Sequence, residues 1–272
     1  MRRGVILYER ADAEKNRVLI KKYSAALSKR GVAPSLILTD RLDEADVLSM
    51  AQGAELVINR TRNAALARYL EENGLFVTNP SAVTETANDK SLTYERLRAL
   101  VPMLETHILT DEKPPLAFPF VAKPAAGHGG NGVSMIRSEA DLTAYRAAHP
   151  ERSVVQPLAS TLGRDMRVYV VGRRPVCAML RESDTDFRSN FSLGGRARMI
   201  PVEGLSAEER GIVSAVCGAL PLDYAGVDII YNDGHPILNE IEDPVGARML
   251  YIYTETDPAE EHVKYILKES TI

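Results

Sequence analysis

The chain of 272 residues carries a net charge of -4 and is 45% hydrophobic. That is enough apolar material for a sizeable core in two or three lobes, without the basic excess of a nucleic-acid-binding surface. The only cysteines, Cys177 and Cys217, sit in the apolar segments VCAML and AVCGAL, the pattern of buried free thiols in a reducing compartment rather than of a disulfide or a metal site.

The first apolar run, Val5 to Tyr8, is too brief for a secretory segment or a membrane span and reads as the first strand. The expectation is a cytoplasmic protein with neither nucleic acid nor membrane as partner. Residues 4–80 alternate β-rich runs with helical stretches: a strand over 4–8, a helix over about 12–30 closed by Gly31, strands over 35–39 and 55–59, and a helix over 62–73 closed by Gly74. This predicts an α/β lobe with a small parallel sheet. Asn59-Arg60-Thr61-Arg62 directly follows a strand, and strand ends in such lobes often face ligands. Arg60, Arg62 and, far downstream, Arg248 are therefore candidates for holding a substrate carboxylate, Arg60 first; surface or structural arginines are the plain alternative.

Asn88-Asp89-Lys90 opens a helical stretch that Asn88 or Asp89 could cap, leaving Lys90 either solvated or turned toward an anion. Pro-Pro within TDEKPPLA, residues 110–117, stops regular structure and joins two lobes. Lys123 then ends a strand before a loop containing Gly127, Gly129, Gly130 and Gly132, which can bring backbone N–H groups up to phosphates or can simply be a turn. His128 within it reads as incidental. After the strand SVVQP, a hairpin turning at Gly172-Arg173 implies antiparallel strands, with Arg167 and Arg181 facing a nucleotide or decorating the sheet. Arg188, Ser189 and Asn190 fall together in a polar loop ahead of two glycines, and arginine suits bidentate phosphate contact.

The most informative stretch is AGVDIIYNDGHPILNEIEDPVGARM, residues 225–249. Two β-rich runs flank Asp233-Gly234, a strong hairpin signal. Asp228 lies on the first strand, and Glu240 and Glu242 share one face of the second. Three hard oxygen ligands suit one or two divalent cations such as Mg2+, which takes its other ligands from water and phosphates. A two-residue turn would set Asp228 opposite Asn239, so facing Glu240 requires a longer loop or a bulge. Finally, TDPAEEHVKYILKE reads as an amphipathic packing helix with Val263, Ile266 and Leu267 inward.

From about Asn79 to Gly246 the chain resembles the ATP-grasp superfamily, in the branch of the ribosomal-protein glutamate ligase and the lysine-biosynthesis amino-acid-carrier ligase. The resemblance rests on NPSAVTETANDK, FPFVAKP with its glycine loop, VVQPLASTLGRDMRVYVVG, DFRSNFSLGG and AGVDII followed by NEIE, all in the family's order. It implies an α/β fold, α+β in its last lobe: a small parallel-sheet lobe over 1–80, a central glycine-loop lobe over 81–156 and a C-terminal antiparallel lobe over 157–272. Lys90 and Lys123 match the family's phosphate lysines, with Gly129 and Gly130 in the loop. Gln156 and Leu158 match the hinge that meets adenine, Gln156 standing in place of the usual glutamate, and Asp165 matches an acid near the ribose. Arg188, Ser189 and Asn190 match the RSN loop that with Arg167 meets the nucleotide, Arg188 and Asn190 also as catalytic groups. Asp228 and Glu240 match metal ligands, while Glu242 stands where asparagine is usual. DPVGAR also departs from the family's ending, near the acceptor.

The implied activity is an ATP-dependent carboxylate–amine ligase working through an acyl phosphate, with ATP and Mg2+ (Mn2+ as its substitute). Its implied partner is an amino acid, a peptide or a carrier protein, and its relatives form homodimers or homotetramers. A small-molecule kinase on the same scaffold and a nucleotide-binding regulatory protein without turnover are the alternatives.

Overall fold

The computed structural model describes residues 2–112, 114–183 and 196–269. Its first lobe carries strands β1 (Arg2–Tyr8), β2 (Val32–Leu38), β3 (Leu56–Asn59) and β4 (Val77–Thr78) in a parallel sheet ordered β2-β1-β3-β4. Between them lie α1 (Arg10–Lys15), α2 (Arg17–Ser28), α3 (Glu44–Ala51) and α4 (Ala64–Glu72). The helix expected over 12–30 is two helices. Asn16 turns its carboxamide and its backbone N–H onto the Asp12 carbonyl, the local competition with helical bonding to which asparagine is prone.

Helices α5 (Ser81–Ala87) and α6 (Lys90–Leu97) lead to a second sheet, ordered β5-β8-β6-β7, made of β5 (His107–Ile108), β6 (Phe120–Pro124), β7 (Ser134–Ile136) and β8 (Ser153–Pro157), with α7 (Glu139–Ala148) between the last two. The third sheet, ordered β11-β10-β9-β12-β13, is antiparallel: β9 (Thr161–Val171), β10 (Arg174–Glu182), β11 (Arg196–Ile200), β12 (Tyr224–Asn232) and β13 (His235–Glu242). Helix α8 (Ala207–Ala219) precedes β12, and α9 (Arg248–Tyr253) and α10 (Pro258–Glu269) close the chain. Among the described residues no helix is long and apolar enough to cross a membrane.

Packing cuts across the expected lobe boundaries. Val83, Ala87, Leu97 and Val101 share a core with Met166, Val168 and Val227 of the third sheet, so α5 and α6 belong by burial with the C-terminal sheet rather than with the central one. Conversely, α10 lays Val263 and Ile266 against Leu19 and Tyr23 of α2, and Arg30 meets Glu260 at 2.7 Å across the same contact. The chain's end thus returns to its beginning, with the inward face read from the sequence. Both cysteines are buried free thiols.

The alternation of β9 and β12 divides the third sheet into two faces. Met166, Val168, Val170, Val227 and Ile229 face the apolar core beneath α8. Asp165, Arg167, Tyr169 and Asp228 take the other face. The hairpin β12–β13 turns at Asp233-Gly234 with Asn232 opposite His235, and a bulge between Asp228 and Ile229 brings Asp228 opposite Glu240. The register problem posed by the sequence is therefore solved by a bulge.

Candidate active site

The charged face of the third sheet, the glycine loop and the ends of β6 and β8 enclose a cleft of about 340 Å³. Lys90, Lys123, Gly129, Gly130, Gln156, Leu158, Asp165, Arg167, Glu240, Glu242 and Arg248 all line it. Residues scattered over more than 150 positions of sequence are thus gathered at one wall-to-wall site.

Lys90 is the first residue of α6, whose N-terminus Asp89 caps by accepting from Ser91 at 2.9 Å and from Leu92 at 3.2 Å. Its ammonium bonds the Gly127 carbonyl of the loop and lies 3.9 Å from Glu240. Lys123 is 6% exposed on β6. Burial pushes its ammonium down to about 8, Glu240 working against the shift and Lys90 with it. Two amines are thus brought into one wall of the cleft, an arrangement whose positive charge can meet an anion.

In the loop, Gly129, Gly130 and Gly132 all have positive φ. At Gly132 a Cβ would come within 2.7 Å of Pro124 Cγ, so this position needs glycine for space as well as conformation. His128 also lines the cleft, its imidazole pushed down by burial and by Arg62.

The acids form a ladder. Oxygens of Asp228, Glu240 and Glu242 can all lie within 4.8 Å of one another, a set able to hold a divalent ion. Asp228 is 1% exposed and receives Arg167 Nε at 2.8 Å and Nη2 at 2.7 Å, plus Arg181 Nη2 at 2.8 Å. Burial would raise this carboxyl, yet the two arginines hold it at about 2. Arg167 Nη2 also donates to Glu242 at 2.8 Å, and Arg181 pairs Asp165 through two bonds of 2.6 Å. Opposite Tyr169, Gly226 leaves room for this: a Cβ there would meet Arg167 Cδ at 3.2 Å.

Several expectations change. Asp165, expected near a ribose, is 4% exposed and serves as the anchor of Arg181. Arg167, expected on the nucleotide, is spent on Asp228 and Glu242. Gln156 lines the cleft but donates its Nε2 to Thr106 at 2.7 Å. Arg60 does not open onto the cleft; it is buried and bonds the Val245 carbonyl. Arg62 pairs with Asp12 at 2.6 Å. Arg188, Ser189 and Asn190 lie outside the described residues. Arg181 was left undecided by the sequence: the hairpin turn alone sets Asp165 opposite Leu180, and only the bulge between Pro175 and Cys177 places it beside Arg181.

Residues 94–266 match the model of the RimK-like ATP-grasp domain. The chain is 28% identical over 275 residues to a "Probable alpha-L-glutamate ligase" of Pectobacterium carotovorum subsp. carotovorum, covering 96% of this chain and 89% of that one. It is 33% identical over 195 residues to "Beta-citrylglutamate synthase B" of Danio rerio, covering 66% of this chain and 47% of the other. Among solved structures, a RimK domain ATP-grasp protein from Sphaerobacter thermophilus superposes with a TM-score of 0.76 at 18% identity, over 97% of this chain and 99% of that one, a likeness of fold.

Proposed function

The chain belongs to the RimK-like ATP-grasp family and is an ATP-dependent ligase, and we propose that it joins the carboxylate of one amino acid or peptide to the amine of another through an acyl phosphate. The observation that carries this reading is the meeting of Lys90, Lys123 and the glycine loop with Asp228, Glu240 and Glu242 in one cleft. Such a ligase needs no side-chain nucleophile. The acid attacks a phosphoryl group directly, and charge on phosphoryl oxygens and then on a tetrahedral oxyanion must be met by cations and oriented donors.

The hard-oxygen set fits Mg2+ or Mn2+, which would be held by Asp228, Glu240 and Glu242 and would neutralise phosphoryl charge. Lys90 and Lys123 receive phosphates, the loop amides of Gly129 and Gly130 close over them, and Gln156 and Leu158 border the base. Arg188, Ser189 and Asn190 act on the transferring group, as the sequence motif implies. Because the named relatives are a glutamate ligase and a β-citrylglutamate synthase, glutamate is the first substrate to test, free or at a peptide or carrier-protein terminus.

The test is ADP release with Mg2+ and ATP across amino acids and dipeptides, singly and in pairs, with products weighed. Release requiring both partners, with a product mass equal to their sum less water, is the expected result. Release with a single partner and a phosphorylated product would replace the ligation step by a kinase reaction. ATP binding without release from any pair would leave either an untested substrate or a regulatory protein.

A further inference from the structure

Which end of the Gln156 carboxamide faces the cleft is decided by Thr106. Strand β8 runs between β6 and β5, with Val121 opposite Gln156 on one side and His107 opposite Val155 on the other. Thr106, one step before β5 begins, therefore stands across from Gln156. Alternation along β8 sends Val155 into the apolar core with Phe120 and Ala122 and Gln156 to the opposite face, where it lines the cleft beside Val121. Both partners are almost out of water, Gln156 at 6% and Thr106 at 8% exposed.

Donor accounting fixes the orientation. A threonine hydroxyl has one proton, and Thr106 gives it to the Leu104 carbonyl at 3.0 Å. Toward Gln156 its oxygen can only accept, so the group 2.7 Å away is the amide nitrogen Nε2. The other end, Oε1, accepts no hydrogen bond among the described residues and is not sealed off from the cleft. Reversing the amide would set Oε1 against the hydroxyl oxygen and draw the proton away from Leu104. This matters because glutamine is ambiguous where glutamate is not. A carboxylate offers an acceptor at either oxygen, whereas a carboxamide offers a donor at one end and an acceptor at the other, and presents one of them consistently only when a neighbour holds it.

The same short stretch supplies wall and anchor. Leu104, whose carbonyl holds the Thr106 proton, lines the cleft together with Val121 and Leu158, apolar surfaces that suit the flat face of a purine, and Oε1 is the acceptor set among them. We propose that Thr106 is the positioning residue that sets nucleobase selectivity: by holding the Gln156 carboxamide with Oε1 toward the cleft, it makes the site accept a base that presents an exocyclic amine there and reject one that presents a carbonyl. The placing of the base beside Gln156 rests on the functional reading given above; the orientation of the amide does not.

The test titrates the full chain calorimetrically with ATP and with inosine triphosphate, which carries oxygen in place of the exocyclic amine, with Mg2+ present and no acid or amine. Wild type should prefer ATP by roughly tenfold to a hundredfold, the ordinary consequence of leaving two facing acceptors unpaired. In Thr106→Val the amide is free to turn and offer its N–H to the carbonyl, so ATP should weaken, inosine triphosphate should tighten, and the ratio should fall by roughly tenfold. Thr106→Ser should keep the wild-type ratio, and Thr106→Ala answers the same question should the valine variant misfold. Gln156→Glu should keep the preference for ATP, and adding Thr106→Val to it should leave the ratio unmoved, because a carboxylate presents an acceptor whichever way it turns. A hydroxyl that is merely structural would weaken both nucleotides equally. An unchanged ratio in folded Thr106→Val and Thr106→Ala, or no preference in wild type, overturns the proposal. Gln156→Ala with both affinities unmoved places the base elsewhere and overturns it too, while ADP release from a substrate pair would leave the ligase reading intact. A ratio that falls in Thr106→Val while no substrate pair releases ADP supports the role of Thr106 and removes only the ligase reading.

Discussion

Replacing Arg167 by methionine tests whether a guanidinium now holds the place a divalent ion would take. Arg167 makes three charge-assisted bonds, two to Asp228 and one to Glu242, each between 2.7 and 2.8 Å. In Arg167→Met, Asp228 keeps only its Arg181 contact at 2.8 Å while remaining buried. Removing one partner of such a buried pair costs about 3–5 kcal/mol, and the remaining Arg181 bond places the expected loss toward about 3. A divalent ion entering the vacated position should return part of it, about 2.7 kcal/mol at a concentration a hundredfold above its dissociation constant. The assay is urea unfolding followed by circular dichroism, with chelator and with Mn2+, no nucleotide present. Mn2+ should stabilise the variant more than the wild type. Equal stabilisation of both, or a loss below about 1 kcal/mol with chelator, would refute the view that Arg167 competes with the ion.

Other consequences follow from single residues. Lys123 titrates near 8 in the folded protein against an ordinary 10.5, so folding carries a cost below pH 8 that fades as pH rises toward 10.5. Bound phosphates favour the charged amine, so calorimetry should show ATP affinity falling as pH rises through about 8 and proton uptake on binding there; a flat profile between pH 7 and 9.5 would clear Lys123 of phosphate contact. Gly132→Ala should destabilise by about 1–3 kcal/mol and weaken ATP, because its Cβ meets Pro124, whereas Gly129→Ala, with nothing within 4 Å, should cost only its backbone strain; equal effects would contradict the steric account. Arg188→Ala should lower kcat on the order of 10²–10³ with the fold intact by circular dichroism, and near wild-type turnover would remove it from the chemistry.

What could be read from the sequence was whatever depends on local pattern. Period-two alternation gave the two faces of β12 and β13, the Asp233-Gly234 and Gly172-Arg173 turns gave the hairpins, and the apolar stripe of α10 gave its packing face. What escaped was set by one extra residue at a time. A bulge between Pro175 and Cys177 sets Asp165 beside Arg181, where the turn alone would have paired it with Leu180. A second bulge brings Glu240 to Asp228. Burial was the other illegible quantity. Arg60 and Asp165 look like ordinary ligand-facing charges in the sequence, and only the return of α9 and α10 to the first lobe and the Arg181 fork reveal that neither is open to solvent.

Glu242 is where that ladder differs in charge from the usual arrangement with asparagine, and its cost is met locally. Around the acids, Asp165, Asp228, Glu240 and Glu242 meet Lys90, Lys123, Arg167 and Arg181, four charges of each sign, while Arg164 and Arg248 also line the cleft. Glu242→Asn would leave the set one charge positive and free one Arg167 donor. Unit charges a few residues apart in a partly dry cleft interact by roughly 1–2 kcal/mol, on the order of a tenfold change in affinity. ATP without metal should therefore bind this variant about tenfold more tightly, while Mn2+ without ATP should bind it more weakly, having lost a carboxylate ligand. Both dissociation constants can be read from one protein preparation by calorimetry. If the two affinities move in the same direction, Glu242 is neither balancing Arg167 nor holding the ion, and the charge-matched ladder is the wrong account of this site.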